Sequence, residues 1–158
     1  MSKAFTSEET PDQAPVLGRP VARAARGQER PMTPAGWKAL VAEQARLSEA
    51  RLQEKDPERR AQLEHRLAVV GATLESVRVV EPPPPDGTVR FGSEVTLAWD
   101  DGRTQVVRLV GPDEADGRDG RISVDSPLAR TLLELHEGDE VEVQRPRGAV
   151  VATLVSVR

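Results

Sequence analysis

Two helix starts of the same design, Thr33-Pro34 and Asp56-Pro57, each lead into a heptad-spaced stretch, and almost no linker separates the two stretches. In each start a side-chain oxygen caps free N–H groups, and Pro takes the first helical position, where its missing N–H costs nothing. Behind Thr33, residues Trp37, Leu40, Gln44, Leu47, Arg51 and Glu54 step by 3, 4, 3, 4 and 3. Behind Asp56, Leu63, Leu67, Val70, Leu74 and Val77 step by 4, 3, 4 and 3. A seam of this spacing is buried by a partner helix. With so short a connection, the two must fold back antiparallel. At ~1.5 Å per residue, about 22 residues give each arm roughly 33 Å. The tip is Gln53-Glu54-Lys55-Asp56-Pro57-Glu58.

The flanks read differently. Residues 1–31 are rich in Pro, Ala, Gly, Gln and charge without apolar periodicity, which predicts a disordered tail. Arg19, Arg23, Arg26 and Arg30 fall on one helical face there, a pattern that a solvated run or a contacting arm would both produce. The hairpin occupies 32–80, and 81–88 is a linker stiffened by Pro82 to Pro85. Over 89–158 the period changes to two. Val95, Leu97 and Trp99 alternate with polar or small residues, and Asp101-Gly102 turns into Gln105–Val110. Ile122–Val124 predicts a short strand, Ser126-Pro127 starts a helix, and Glu140–Val143 with Ala149–Val157 makes a last hairpin. The predicted class is α+β, an antiparallel coiled-coil hairpin followed by a small β-rich domain.

Composition narrows the function. With no Cys among 158 residues, disulfides and thiolate metal sites are excluded. No apolar run reaches membrane-spanning length, and the first thirty residues lack a secretory core, so a cytoplasmic chain is expected. Residues 81–158 carry nine basic and fifteen acidic side chains, which disfavours direct DNA or RNA binding by that half and favours a protein partner. No Ser-His-Asp, Cys-His or Gly-rich phosphate motif is present, and no enzyme is expected.

Six short segments then fall in one familiar order: Val89-Arg90-Phe91-Gly92-Ser93, Val110-Gly111-Pro112-Asp113-Glu114-Ala115-Asp116, Gly120-Arg121-Ile122-Ser123, Ser126-Pro127-Leu128-Ala129-Arg130, Gly138-Asp139-Glu140-Val141 and Pro146-Arg147-Gly148. Together they resemble the C-terminal domain of the GreA/GreB transcript-cleavage factors. Met32-Thr33-Pro34-x-Gly36-x-x-x-Leu40 is similar to the opening of the Gre hairpin. The resemblance implies an FKBP-like domain on the rim of the RNA polymerase secondary channel, with the coiled coil entering it. DNA and nascent RNA would then be met indirectly, through the polymerase. It departs from the family at the tip, which lacks the Asp-x-x-Glu-Asn-type motif, and in its arms, shorter by roughly two to three turns. The Rnk branch shares this C-terminal domain and has a stunted hairpin.

Three sets of residues are candidates for function. Asp125, Ser126 and Pro127 match the family's polymerase contact, and Ser126-Pro127 also reads as a helix cap. Glu54, Asp56 and Glu58 at the tip offer oxygen ligands for Mg²⁺ shared with the polymerase active site, while capping and the helix dipole explain them without a metal. No cofactor of the chain's own is expected. Asp113, Glu114, Asp116 and Asp119 fail as a calcium loop, because Pro112 and Ser123 fall on required ligand positions, and read as a solvated acidic loop. His65 and His136 read as surface residues. Phe91 and Trp99 alone are too few aromatics for a prolyl isomerase pocket. The functional expectation is a monomeric, polymerase-binding elongation regulator. The alternatives are a true cleavage factor, a Rnk-like regulator and a coiled-coil adaptor.

Overall fold

A computed structural model describes residues 29–158, so Arg19, Arg23 and Arg26 lie outside the described residues. The architecture is α+β: a helical hairpin, then a curled mixed sheet packed on a short helix. Both long helices, α1 (Pro34–Gln53) and α2 (Pro57–Ser76), begin at the predicted caps. Thr33 Oγ1 accepts the Gly36 N–H at 3.0 Å, and Asp56 Oδ1 accepts those of Glu58 and Arg59 at 2.8 and 3.3 Å.

The heptad positions make the contact between the helices. Leu47 and Val70 are buried, while Leu40, Gln44, Leu63, Leu67 and Leu74 are half-buried. Trp37, expected to open the seam, is instead 42% exposed. The register explains it. Gln44 faces Gly71 at 3.8 Å from that residue's Cβ position, which sets Trp37 level with residue 78, beyond the end of α2. No helix stands opposite to form a hole for the ring.

At the hairpin root, β1 (Arg30–Met32) pairs in parallel with β2 (Val77–Val79), and the Val80 N–H extends the ladder to Met32 O at 2.9 Å. Residues 30 and 31 are therefore strand, a correction to the disordered span 1–31. An antiparallel hairpin brings its two ends together, and pairing them satisfies backbone groups that would otherwise need water. Five further strands form one sheet: β3 (Glu94–Trp99), β4 (Thr104–Val110), β5 (Arg121–Ser123), β6 (Glu140–Arg145) and β7 (Gly148–Val157), in the order β5-β4-β3-β7-β6. Only the β4–β5 pair is parallel. Val95, Leu97 and Trp99 point inward as their period of two predicts. They pack with Val107, Leu109 and Leu154, and with Ala129 and Leu132 of α3 (Pro127–Leu132). Apart from Trp99, aliphatic side chains fill this core.

The Pro82–Pro85 linker is not all that connects the two halves, because a buried carboxylate also joins them. Glu114, 8% exposed, accepts hydrogen bonds from the Thr33 N–H at 2.8 Å, the Gly111 N–H at 3.1 Å and the Thr33 hydroxyl. Beside it, Arg30 Nε lies 2.7 Å from Asp113, and its Nη2 donates to Ser76 Oγ at 2.9 Å. Arg30 thus clamps β1 to both α2 and the sheet half. The surfaces meet closely: a methyl group on Gly36 would run into the Glu114 carboxylate, and one on Gly111 into the Pro31 carbonyl.

This geometry makes the two caps unequal. Asp56→Ala removes a cap alone and should destabilise the hairpin by about 0.5–2 kcal/mol. Thr33→Ala also takes a donor from a buried carboxylate, adding about 1–3 kcal/mol, and should lower the melting temperature of hairpin and sheet together. Equal shifts for the two variants in a thermal melt would show that Thr33 is a cap and nothing more. Glu114→Ala leaves three donors without their acceptor and should weaken amide-exchange protection at both Thr33 and Gly111. Protection lost at only one of them would contradict a shared acceptor.

Candidate docking site

The corner at Asp125 is built from the end of β5. The Asp125 N–H donates to Ser123 Oγ at 3.2 Å, and the Ser126 N–H to Ser123 O at 2.9 Å. Ser126 then caps α3: its Oγ accepts the Ala129 N–H at 3.2 Å, with Pro127 as first helical residue. Behind the corner, Ala129 and Leu132 are fully buried and hold the helix to the core. Asp125 and Pro127 stay exposed, and no basic side chain pairs with Asp125 among the described residues. The result is a free carboxylate beside a rigid apolar ring, on a helix anchored in the core. Chemically it suits a basic group on a protein partner.

At the other extreme, the tip carboxylates serve their own backbone. Glu54 Oε1 accepts the N–H groups of Lys55 and Asp56, both at 2.9 Å. Asp56 caps α2, and Glu58 stands in the first turn. The Arg60 guanidinium folds back onto Glu54 O, its Nε at 3.2 Å. The structure therefore brings Glu54 and Asp56 into one turn and engages their oxygens locally. Among the described residues, no three His, Asp or Glu side chains gather as a metal site. Leu52 is 75% exposed just below.

The acidic loop is not simply solvated. Glu114 is the buried joint, Asp113 pairs with Arg30, and Arg121 lies 3.0 Å from Asp119 and 3.8 Å from Asp116. Asp116 also accepts the Arg118 N–H, capping a single 3-10 turn at Gly117–Asp119. His65 and His136 are both exposed. The two aromatics considered for an isomerase pocket do not share one. Trp99 is buried, with Arg145 4.2 Å over its ring, whereas Phe91 lines a separate cleft with Arg130 and Leu133. That cleft escaped the sequence, since its residues come from two distant segments.

Known proteins are similar to this chain. Residues 84–158 match the family model described as the C-terminal part of the transcription elongation factors GreA/GreB. GreB of Pseudomonas putida is 42% identical over 98 residues, 61% of this chain and 60% of that protein. GreB of Neisseria meningitidis serogroup B is 41% identical over 101 residues, 63% and 62%. The chain thus spans about three fifths of the length of these relatives. GreA of Psychrobacter cryohalolentis is 35% identical over 154 residues, covering 82% of this chain and 98% of that protein. Among solved structures, GreA factor homolog 1 of Thermus thermophilus is similar at 22% identity and a TM-score of 0.42, covering 83% of this chain and 99% of that one. A GreA/GreB factor of Nitrosomonas europaea is similar at 26% and 0.43, covering 82% and 98%. With a relative matched over nearly its whole length, this chain belongs to the GreA/GreB family of transcription elongation factors.

Proposed function

We propose that the protein is a regulator of transcription elongation that binds RNA polymerase at the secondary channel and occupies it without efficient cleavage stimulation. It acts as a cytoplasmic monomer with no chemistry of its own, and meets DNA and nascent RNA only through the polymerase. Among the described residues, no helix is long and apolar enough to cross a membrane. The exposed Asp125 beside Pro127 supplies affinity, and the hairpin supplies reach.

The observation that carries this reading is hairpin length. Each arm has 20 residues, or roughly 30 Å at ~1.5 Å per residue. The match to the Psychrobacter GreA runs over 154 residues but uses 82% of 158 here, about 130, so about two dozen positions have no counterpart. We assign these to the two arms in equal share, as the residue count of the hairpin suggests, which would shorten each by about 12 residues, or roughly 18 Å. Direct Mg²⁺ coordination requires oxygen within about 2.1 Å, and no Glu side chain spans such a deficit. The tip also holds its carboxylates against its own N–H groups. Both facts weigh against the reading as a true cleavage factor, in which Glu54, Asp56 and Glu58 would support the polymerase's Mg²⁺. The adaptor reading is weakened because the seam is already used within the chain, Leu47 and Val70 being buried. The Rnk-like reading is a variant of the same proposal, since it too pairs this C-terminal domain with a short hairpin.

Two outcomes test the proposal. Asp125→Arg reverses the free charge and should weaken binding to bacterial core RNA polymerase by about 2–5 kcal/mol for a contact that binding desolvates. Its circular dichroism should stay unchanged, since Asp125 precedes α3. Wild-type affinity would remove the residue from the interface. In a backtracked elongation complex the protein should add little or no RNA cleavage and should compete with a full-length Gre factor. Asp56→Asn keeps the cap while removing the charge. Robust cleavage that Asp56→Asn abolishes would establish the metal-supporting tip instead.

A further inference from the structure

A cleft of about 860 Å³ opens beside the C-terminal end of α3, lined by Arg90, Phe91, Arg130, Leu133, Glu134 and His136, with Thr88 and Val89. Two local rules are broken at one of its residues. Glu134 has φ 67°, the only positive φ outside glycine among the described residues. This is the place after a helix where Gly or Asn is favoured. A carboxylate there also meets the negative end of the helix. The conformation is held by Glu134 N–H to Val89 O at 2.9 Å and Val89 N–H to Leu135 O at 2.8 Å. Backbone strain imposed by its surroundings, at a residue that lines a cleft, points to use rather than accident.

The charges of the cleft are unequally committed. Arg90 Nη2 lies 2.8 Å from Asp86, whose carboxyl is held below the ordinary carboxylate range by the Thr88 N–H and hydroxyl, with Arg90 adding to the effect. His136 Nδ1 is 3.8 Å from Asp139. Arg130 has no acidic partner among the described residues, and it is exposed. Phe91 and Leu133, both half-buried, supply apolar surface in the same cleft. Arg130 lies on the short helix that Asp125 precedes, five residues further along the chain.

We propose that the docking surface continues from Asp125 along α3 into this cleft. There a segment of the protein partner seats an apolar side chain against Phe91 and Leu133, sets a carboxylate on Arg130 and brings a basic group to Glu134. The inference rests on the reading of Asp125 as the docking corner, and deepens it by defining the partner's chemistry. The partner alternates in charge: basic at Asp125, acidic at Arg130, basic again at Glu134. A nucleic-acid backbone is uniformly negative and would be repelled at both ends of that row.

The test is affinity of the full chain for bacterial core RNA polymerase, measured beside thermal stability. Arg130→Glu should weaken binding at least tenfold, and Arg130→Gln less, both melting as the parent does. Glu134→Gly relieves the backbone and should melt no lower than the parent, yet bind several-fold more weakly. Stability and affinity moving apart in that way is not what a purely structural residue gives. Wild-type affinity in Arg130→Glu and Glu134→Gly, with Asp125→Arg weakened, would end the docking surface at the corner and overturn the inference. An unaffected Asp125→Arg would instead sink the reading beneath it. Binding of a labelled single-stranded RNA that Arg130→Glu abolishes would assign the cleft to nucleic acid, and overturn the proposal as well.

Discussion

The Glu114 carboxylate sits where the hairpin meets the sheet and ties the two together. Removing a charge from water is expensive unless hydrogen bonds replace the lost hydration. Here two backbone N–H groups and a hydroxyl do so, from both sides of the joint. Thr33 has two tasks at once: its hydroxyl accepts from the first turn of α1 while donating to Glu114. The first turn of the long helix and the sheet half therefore share one hydrogen-bond network, and neither side can rotate without stranding a buried polar group. Pro31 over Gly111 and Glu114 under Gly36 close the remaining space.

Much of the fold was legible because periodicity and caps are local signals. Thr33-Pro34, Asp56-Pro57 and Ser126-Pro127 each start a helix where they stand in the sequence, and Val95, Leu97 and Trp99 declare a half-buried strand. What stayed hidden is non-local. Arg30 reads as one more arginine of a charged tail, since its partners Ser76 and Asp113 lie 46 and 83 residues away. Glu114 reads as part of an acidic loop, because composition cannot say which of four carboxylates turns inward. One hint was present. The segment opening the hairpin, Met32 to Leu40, and the segment Val110 to Asp116 are both family-like, and in the fold they face each other across the joint. Trp37 shows the opposite failure: the heptad spacing is right, but the opposing helix ends too soon.

Three acidic residues of this chain show how environment divides one chemistry into separate uses. Glu114 is withdrawn from solvent and spent on the joint. Asp56 is exposed, yet its oxygen accepts from two amides of its own helix. Asp125 lends its backbone N–H to Ser123 and leaves its carboxylate free. Availability for a partner depends on which nearby N–H groups already have an acceptor. Counting acids in a segment cannot reveal that.

The root of the hairpin is closed by the β1–β2 ribbon and the Glu114 network, and neither involves any residue from Trp37 to Glu75. The arms are thus a module of adjustable length on a fixed mount. Adding or deleting one heptad in each arm preserves the seam's phase and moves the tip by about 10 Å, while the mount stays as it is. A fold of this kind can be retuned as a ruler, its reach set by the number of repeats, without any change to the surface by which it is carried.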